Sequence, residues 1–233
     1  MNQLQLTIMP VGMCNMSCPD CTQTPWRKDY GEYQMLLEEV RRICERVGEL
    51  GLHFTWAHIT GGEPSLWDNL FEGCEILHNS GVFDHVEVWS NCKYIQPLVE
   101  VLEEGSVEQV ITQEANACMD GANTLKRVFG DRMNIIPSQG HQVHPDGALD
   151  GVLPAECGCD RVAVFKGRVY PCANFYSNMK RIGGDVDGST LCFGIEEDWK
   201  KGIDGVDRYN MQACRGCLAN GKVSRQMPVR RVR

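Results

Sequence analysis

Leu36, Leu37, Val40, Ile43, Cys44 and Val47 recur at three- and four-residue intervals, which predicts a helix over about 32–50 with one apolar face that includes Cys44. Short apolar runs at 4–11, 53–60, 85–90, 109–112 and 133–136 have the length and composition of strands. Between the second and third of these, Leu70, Cys74 and Leu77 mark the inner stripe of a helix over 66–78, and another helix is expected over about 95–104. Strands that alternate with helices predict an α/β fold with a parallel sheet and right-handed crossovers, built from roughly the first 145 residues.

The segment 139–158 is rich in Gly, Pro and His and has no periodicity, so a domain boundary is expected there, dividing the chain into 1–145 and 146–233. The second part opens with a predicted hairpin, 161–165 and 168–170 around the turn Lys166-Gly167. It continues through glycine-rich stretches and a short helix near 196–201 to Cys214-Arg215-Gly216-Cys217.

A formal charge of −8 with dispersed basic residues argues against a nucleic-acid partner and for a small molecule or a peptide. No segment reaches the ~20 apolar residues of a membrane span, and residues 1–10 lack the pattern of an export signal, so a soluble, cytoplasmic protein is expected. Thiols stay reduced in that setting, and metal ligation becomes the leading use for the clustered members of the 13 cysteines.

Cys14, Cys18 and Cys21 form a C-x3-C-x2-C array. The same offsets suit one face of a helix, but Pro19 disfavours helical geometry at Cys18, and Pro10 and Gly12 lie just upstream. A loop is therefore expected, and a loop can curl three thiolates around one metal centre. Three protein ligands would leave one iron of a four-iron, four-sulfur cluster open to a further ligand. On this spacing the sequence resembles the radical S-adenosylmethionine (SAM) superfamily. The resemblance implies a partial (β/α) radical SAM barrel and a 4Fe-4S cluster whose open iron chelates SAM. It also implies reductive cleavage of SAM to methionine and a 5′-deoxyadenosyl radical, which abstracts a substrate hydrogen. A flavodoxin-like or other low-potential electron donor is implied as partner. The family usually has an aromatic or bulky apolar residue before the last cysteine, where this chain has Asp20.

Thr60 is followed by Gly61-Gly62-Glu63-Pro64, which looks like the GGEP motif of that family. Glycines there let backbone approach the SAM amino group, while Glu63 helps fix the motif. Ser90-Asn91, ending the third strand, would face the ribose hydroxyls, and Thr112-Gln113, ending the fourth, the methionine carboxylate. Strand ends are where a parallel α/β sheet places its ligands.

Cys157, Cys172, Cys214 and Cys217 supply four ligands for a second centre, with Cys159 an alternative to Cys157 and Cys192 a possible substitute. Cys157 to Cys172 reads C-x9-G-x4-C with Gly167 at the hairpin turn. This resembles the twitch subdomain, a shortened SPASM extension that holds one auxiliary iron-sulfur cluster. Tetrahedral zinc satisfies the same four thiolates and stays open as an alternative. Cys44 and Cys74 are expected in the core, and Cys92 and Cys118 receive no role.

A short barrel with a single-cluster extension most resembles the 2-deoxy-scyllo-inosamine dehydrogenases of aminoglycoside assembly. The resemblance implies two-electron oxidation of a small polyol or aminocyclitol, with the auxiliary cluster as electron acceptor. Modification of a ribosomally made peptide, aided by a separate recognition partner, is the alternative. A non-catalytic iron-sulfur carrier is disfavoured, because it has no need of GGEP beside a three-cysteine site. No catalytic acid or base is legible.

Overall fold

β1, Gln5–Val11, alternates Leu6 and Ile8 toward one face with Gln5, Thr7 and Met9 toward the other, and that two-residue period organises the whole sheet. The computed structural model describes residues 5–18, 21, 23–137, 161–181, 183–186, 189 and 191–199. Cys157, Cys159, Cys214 and Cys217, the expected boundary at 139–158 and the end of the helix expected near 196–201 lie outside the described residues.

β2 (Phe54–Gly61), β3 (Phe83–Trp89), β4 (Gln109–Gln113) and β5 (Met133–Ile136) follow, and each pairs parallel with its predecessor. The hairpin β6 (Arg161–Phe165) and β7 (Arg168–Tyr170) forms where the sequence places it, with Lys166 at φ 51° and Gly167 at φ 68° in the turn. β6 runs parallel to β1 and pairs along its free edge, so the parallel part of the sheet extends beyond the first 145 residues. With β8 (Phe193–Gly194), the described residues form an eight-stranded sheet in the order β5-β4-β3-β2-β1-β6-β7-β8.

Three helices bridge the middle strands: α2 (Leu37–Glu49), α3 (Leu70–Asn79) and α4 (Gln96–Glu103), preceded by the short α1 (Thr24–Asp29). Right-handed crossovers between adjacent strands put successive helices on one face, and α2 packs on α3 and α3 on α4. Val40, Ile43, Cys44 and Val47 of α2 are buried there with Leu6, Ile8, Ile59 and Leu77. Full burial of such a side chain is worth about 1.5–3 kcal/mol, which fixes the face each helix presents. Burial also pushes the Cys44 thiol up to about 11, in keeping with its core position.

Helix α2 starts later than its apolar period predicts. Residues 33–35 instead run extended beside the end of β1, where Met35 N donates to the Pro10 carbonyl (2.7 Å) and Gly12 N to that of Tyr33 (3.0 Å). Leu36 therefore sits outside the apolar face, 64% exposed, with its N–H donating to Glu39 at 2.8 Å, while Met35 is buried. Helices α1, α5 (Met119–Phe129) and α6 (Phe175–Arg181) have no counterpart among the predicted elements. α5 buries only Ala122 and Leu125, too thin a stripe to register as a period.

The opposite face of the sheet is polar at its centre. Thr7, His58, Glu87 and Gln109 are neighbours in register across four strands. The Glu87 carboxylate meets His58 Nδ1 and accepts from Trp89 Nε1 (2.5 Å) and Gln109 Nε2 (2.8 Å), while His58 Nε2 lies 2.8 Å from Gln5 Oε1. Both side chains of the His58–Glu87 pair are 4% exposed. Burial raises the pKa of Glu87, but hydrogen bonds and charge from His58, joined by Trp89 and Gln109, outweigh it and hold the group below its ordinary value. A depressed carboxyl pKa stabilises the fold fully above the unfolded value of about 4.3, and that contribution is lost as pH falls through the folded value. Glu87→Gln should therefore lower stability at pH 7 by about 3 kcal/mol, the usual result of breaking a buried pair. It should also flatten the acid limb of stability against pH in urea titrations, and an unchanged acid limb would show that the pair is not ionic.

Candidate active site at the carboxyl edge of the sheet

Parallel pairing brings the carboxyl ends of β1 to β4 to one edge, and the loops that follow them carry the residues singled out in the sequence. Pro10 has no N–H for the ladder, and the β1–β2 register slips between Ile8 and Val11. The chain then leaves the sheet as the irregular segment that bears Cys14, Cys18 and Cys21, all partly exposed. Burial first, then the neighbouring Cys21 and Cys14, raise the pKa of Cys18, against a lowering by Arg27. The three thiols are thus within electrostatic reach of one another and of a guanidinium. Arg27 Nη1 donates to Cys21 Sγ at 3.6 Å and Nη2 to the Met16 carbonyl at 2.9 Å.

The GGEP segment is fastened to this loop by backbone. Gly62 N donates to the Val11 carbonyl and Glu63 N to that of Met13, both at 2.7 Å. A Cβ on Gly62 would lie 1.9 Å from the Met13 oxygen, and Gly61 has φ +125°, so both positions demand glycine for the packing of two loops as well as for any ligand. Glu63, 1% exposed, accepts from Ser90 Oγ (2.6 Å) and Ser65 N (3.1 Å) at Oε1 and from Asn91 N (2.7 Å) at Oε2. Pro64 opens a single 3₁₀ turn at Pro64–Leu66. Asn91 Nδ2 reaches Asn15 Oδ1 at 2.8 Å and lies 3.8 Å from Cys14 Sγ, and Lys93 Nζ donates to the Asn15 carbonyl at 3.0 Å. One continuous polar network therefore joins GGEP, the end of β3 and the cysteine loop.

Ser90 is 7% exposed, with its hydroxyl donating to Glu63 and accepting from Cys92 N. Thr112, 2% exposed, lies on the face of β4 shared by Val110 and its hydroxyl is beside Cys92, whereas Gln113 is exposed at the strand end. Burial, with Glu63 nearby, pushes the Cys92 thiol up to about 12.

Among the described residues, no group of three or more Cys, His, Asp or Glu side chains is arranged to hold a single metal ion. The chemistry of Cys14, Cys18 and Cys21 nonetheless fits an iron-sulfur cluster: three accessible thiols on one irregular loop, a guanidinium beside one of them, and close-packed glycine backbone alongside.

Cys172, of the second constellation, is 7% exposed at the end of the hairpin and accepts from Asn174 N at 3.3 Å. Cys192 is buried in the same apolar cluster, with Phe165, Tyr170, Phe175 and Met179. The cysteine loop is tied to this region through buried Gln23. Its Nε2 donates to the Ala173 carbonyl (3.1 Å) and Asn174 Oδ1 (2.8 Å), and its Oε1 accepts from Ser177 Oγ (3.1 Å). Sequence reasoning missed Gln23, Arg27 and Lys93, since their contacts span loops that no period describes. Pro25 at the first helical turn was the available signal for α1.

Gly62→Ala tests the loop packing, because the Met13 carbonyl is backbone and cannot swing aside. The variant should lose about 2 kcal/mol or more in denaturant unfolding, as overpacked sites do. Wild-type stability would mean that the two loops are not in contact.

No protein-family model and no curated protein matches the chain. Among solved structures, selenomethionine BtrN in an open conformation matches with a TM-score of 0.55 and 16% identity over 93% of this chain and 94% of that one. BtrN in complex with AdoMet and 2-DOIA matches with the same score and identity over 94% and 87%. Streptococcus suis SuiB is more distant, at a TM-score of 0.45 and 11% identity over 91% of this chain and 66% of that one. With β1 to β5 in sequential parallel order and this likeness, the chain has the α/β fold of BtrN, an arrangement of the partial radical SAM barrel type.

Proposed function

We propose that this chain is a radical SAM enzyme that oxidises a small polyol or aminocyclitol by two electrons. The observation that carries the reading is the hydrogen-bonded union of the Cys14, Cys18 and Cys21 loop with Gly61-Gly62-Glu63 at the carboxyl edge of a BtrN-like sheet. The 2-DOIA of the BtrN complex is the reason for preferring a polyhydroxylated small molecule.

Cys14, Cys18 and Cys21 would hold the SAM-binding cluster. A bound 4Fe-4S cluster supplies the electron that cleaves SAM to methionine and a 5′-deoxyadenosyl radical able to take a carbon-bound hydrogen. Backbone at Gly61, Gly62 and Pro64 would line the SAM amino end, with Glu63 fixing the loop and Asn91 orienting its first cysteine. Ser90 supports this site through Glu63, and Gln113 is better presented than Thr112 for the methionine carboxylate.

The segment 146–233 is proposed to be a twitch-like subdomain with an auxiliary cluster that takes the second electron. Its ligands would be Cys172, Cys214 and Cys217 with Cys157, and the burial of Cys192 in the same cluster as Cys172 supports Cys192 as an alternative fourth. Among the described residues no helix is long and apolar enough to cross a membrane.

The test is made on anaerobically reconstituted variants. Cys14→Ala, Cys18→Ala and Cys21→Ala should each abolish formation of 5′-deoxyadenosine after reduction, and its persistence in all three would defeat the proposal. Cys172→Ala or Cys217→Ala should remove about half of the iron yet leave some SAM cleavage, because only one of two clusters depends on them. Unchanged iron would remove the auxiliary site.

A further inference from the structure

We infer that Arg27 is a positioning residue that raises the reduction potential of the cluster held by Cys14, Cys18 and Cys21. The inference rests on the radical SAM reading and adds to it a control point that the cysteine pattern does not contain. The guanidinium lies on α1, six residues beyond Cys21, and α1 is anchored by Trp26, which is fully buried against Phe165 with ring centroids 5.3 Å apart. That anchor aims Arg27 back at the loop. One terminal nitrogen donates to Cys21 Sγ (3.6 Å) and the other to the Met16 carbonyl (2.9 Å), so the rigid fork holds a ligand sulfur and the backbone between Cys14 and Cys18 together. Its Nε is buried and has no hydrogen-bond partner among the described residues, which leaves a further donor on the same cation.

The chemistry sets the direction of the effect. Reduction makes the cluster more negative by one charge. A cation and an N–H donor at a ligand sulfur stabilise the more negative state, and so favour taking up the electron. Asn91 provides a neutral counterpart at Cys14, where Nδ2 is 3.8 Å from Sγ. Arg27 brings full charge on the other side of the loop. Among the described residues, the side-chain partners of Arg27 are a sulfur and a carbonyl oxygen, and no carboxylate is bonded to it.

The experiment is a redox titration of the full-length, anaerobically reconstituted protein, followed by electron paramagnetic resonance of the reduced cluster, for wild type, Arg27→Gln and Arg27→Lys. At the wild-type midpoint potential, Arg27→Gln should show a several-fold lower ratio of reduced to oxidised cluster. Arg27→Lys keeps the charge but loses the fork, and should fall between. A wild-type midpoint in Arg27→Gln with full iron content would overturn the proposal. So would an unchanged midpoint accompanied by weaker SAM binding, which would make Arg27 a SAM anchor. If Arg27→Gln takes up less iron, Arg27→Lys decides: a lower midpoint supports the role and a wild-type midpoint ends it. Failure of the wild-type protein to assemble any 4Fe-4S cluster would overturn the functional reading itself, an outcome distinct from equal midpoints in clustered proteins.

Discussion

The buried carboxylate of Glu63 is the constraint on which the candidate site depends. It accepts from the Ser90 hydroxyl, the Asn91 backbone and the Ser65 backbone, and so binds the end of β2 to the end of β3. A carboxylate 1% exposed is tolerable only when its oxygens are satisfied, and here the satisfaction also does the positioning. Asn91, held through its N–H, is then free to reach Asn15 and Cys14 with its side chain. Glycine at 61 and 62 completes the arrangement from the other side, because it allows backbone to lie against Val11 and Met13 without a Cβ in the way.

The two faces of the sheet divide the work. Leu6, Ile8, Ala57, Ile59, Val86 and Val88 bury against the helices and belong to the main apolar core. The other face carries the row from Thr7 to Gln109, with the buried His58–Glu87 pair at its middle and Trp56 close to His85 below it, ring centroids 4.6 Å apart. Buried charge of this kind is costly unless every partner is in place, and Gln5, Trp89 and Gln109 supply those partners. The hairpin β6–β7 then extends the same sheet beyond β1 and carries Cys172 at its end, while Gln23 ties that end to the cysteine loop.

Much of this was legible in the sequence where a repeating pattern or a chemically demanding motif reported on it. The strands β1 to β5 and the hairpin declared themselves through short apolar runs and the Lys166-Gly167 turn, and α3 through its stripe, although it begins at Leu70 and not at 66. The cysteine spacing together with Gly61-Gly62-Glu63 marked the edge where the site lies. What escaped was set by tertiary contact. Leu36 fits the period of α2, yet competition from the backbone of Pro10 and Gly12 draws residues 33–35 into extended structure and leaves Leu36 exposed. Thr112 and Gln113 look equivalent at a strand end, but the pleat turns one toward the helix layer and leaves the other in solvent. The parallel pairing of β6 with β1 joins residues more than 150 positions apart and leaves no local trace in composition.

Iron, sulfide and zinc analysis of the anaerobically reconstituted wild-type chain, paired with an assay for 5′-deoxyadenosine after reduction with dithionite, decides whether the chain is a two-cluster radical SAM enzyme. Two 4Fe-4S clusters with radical SAM chemistry require about eight irons with matching sulfide, little zinc and cleavage of SAM. A protein that binds zinc in place of iron, or one that holds iron and leaves SAM intact under reduction, would contradict that reading.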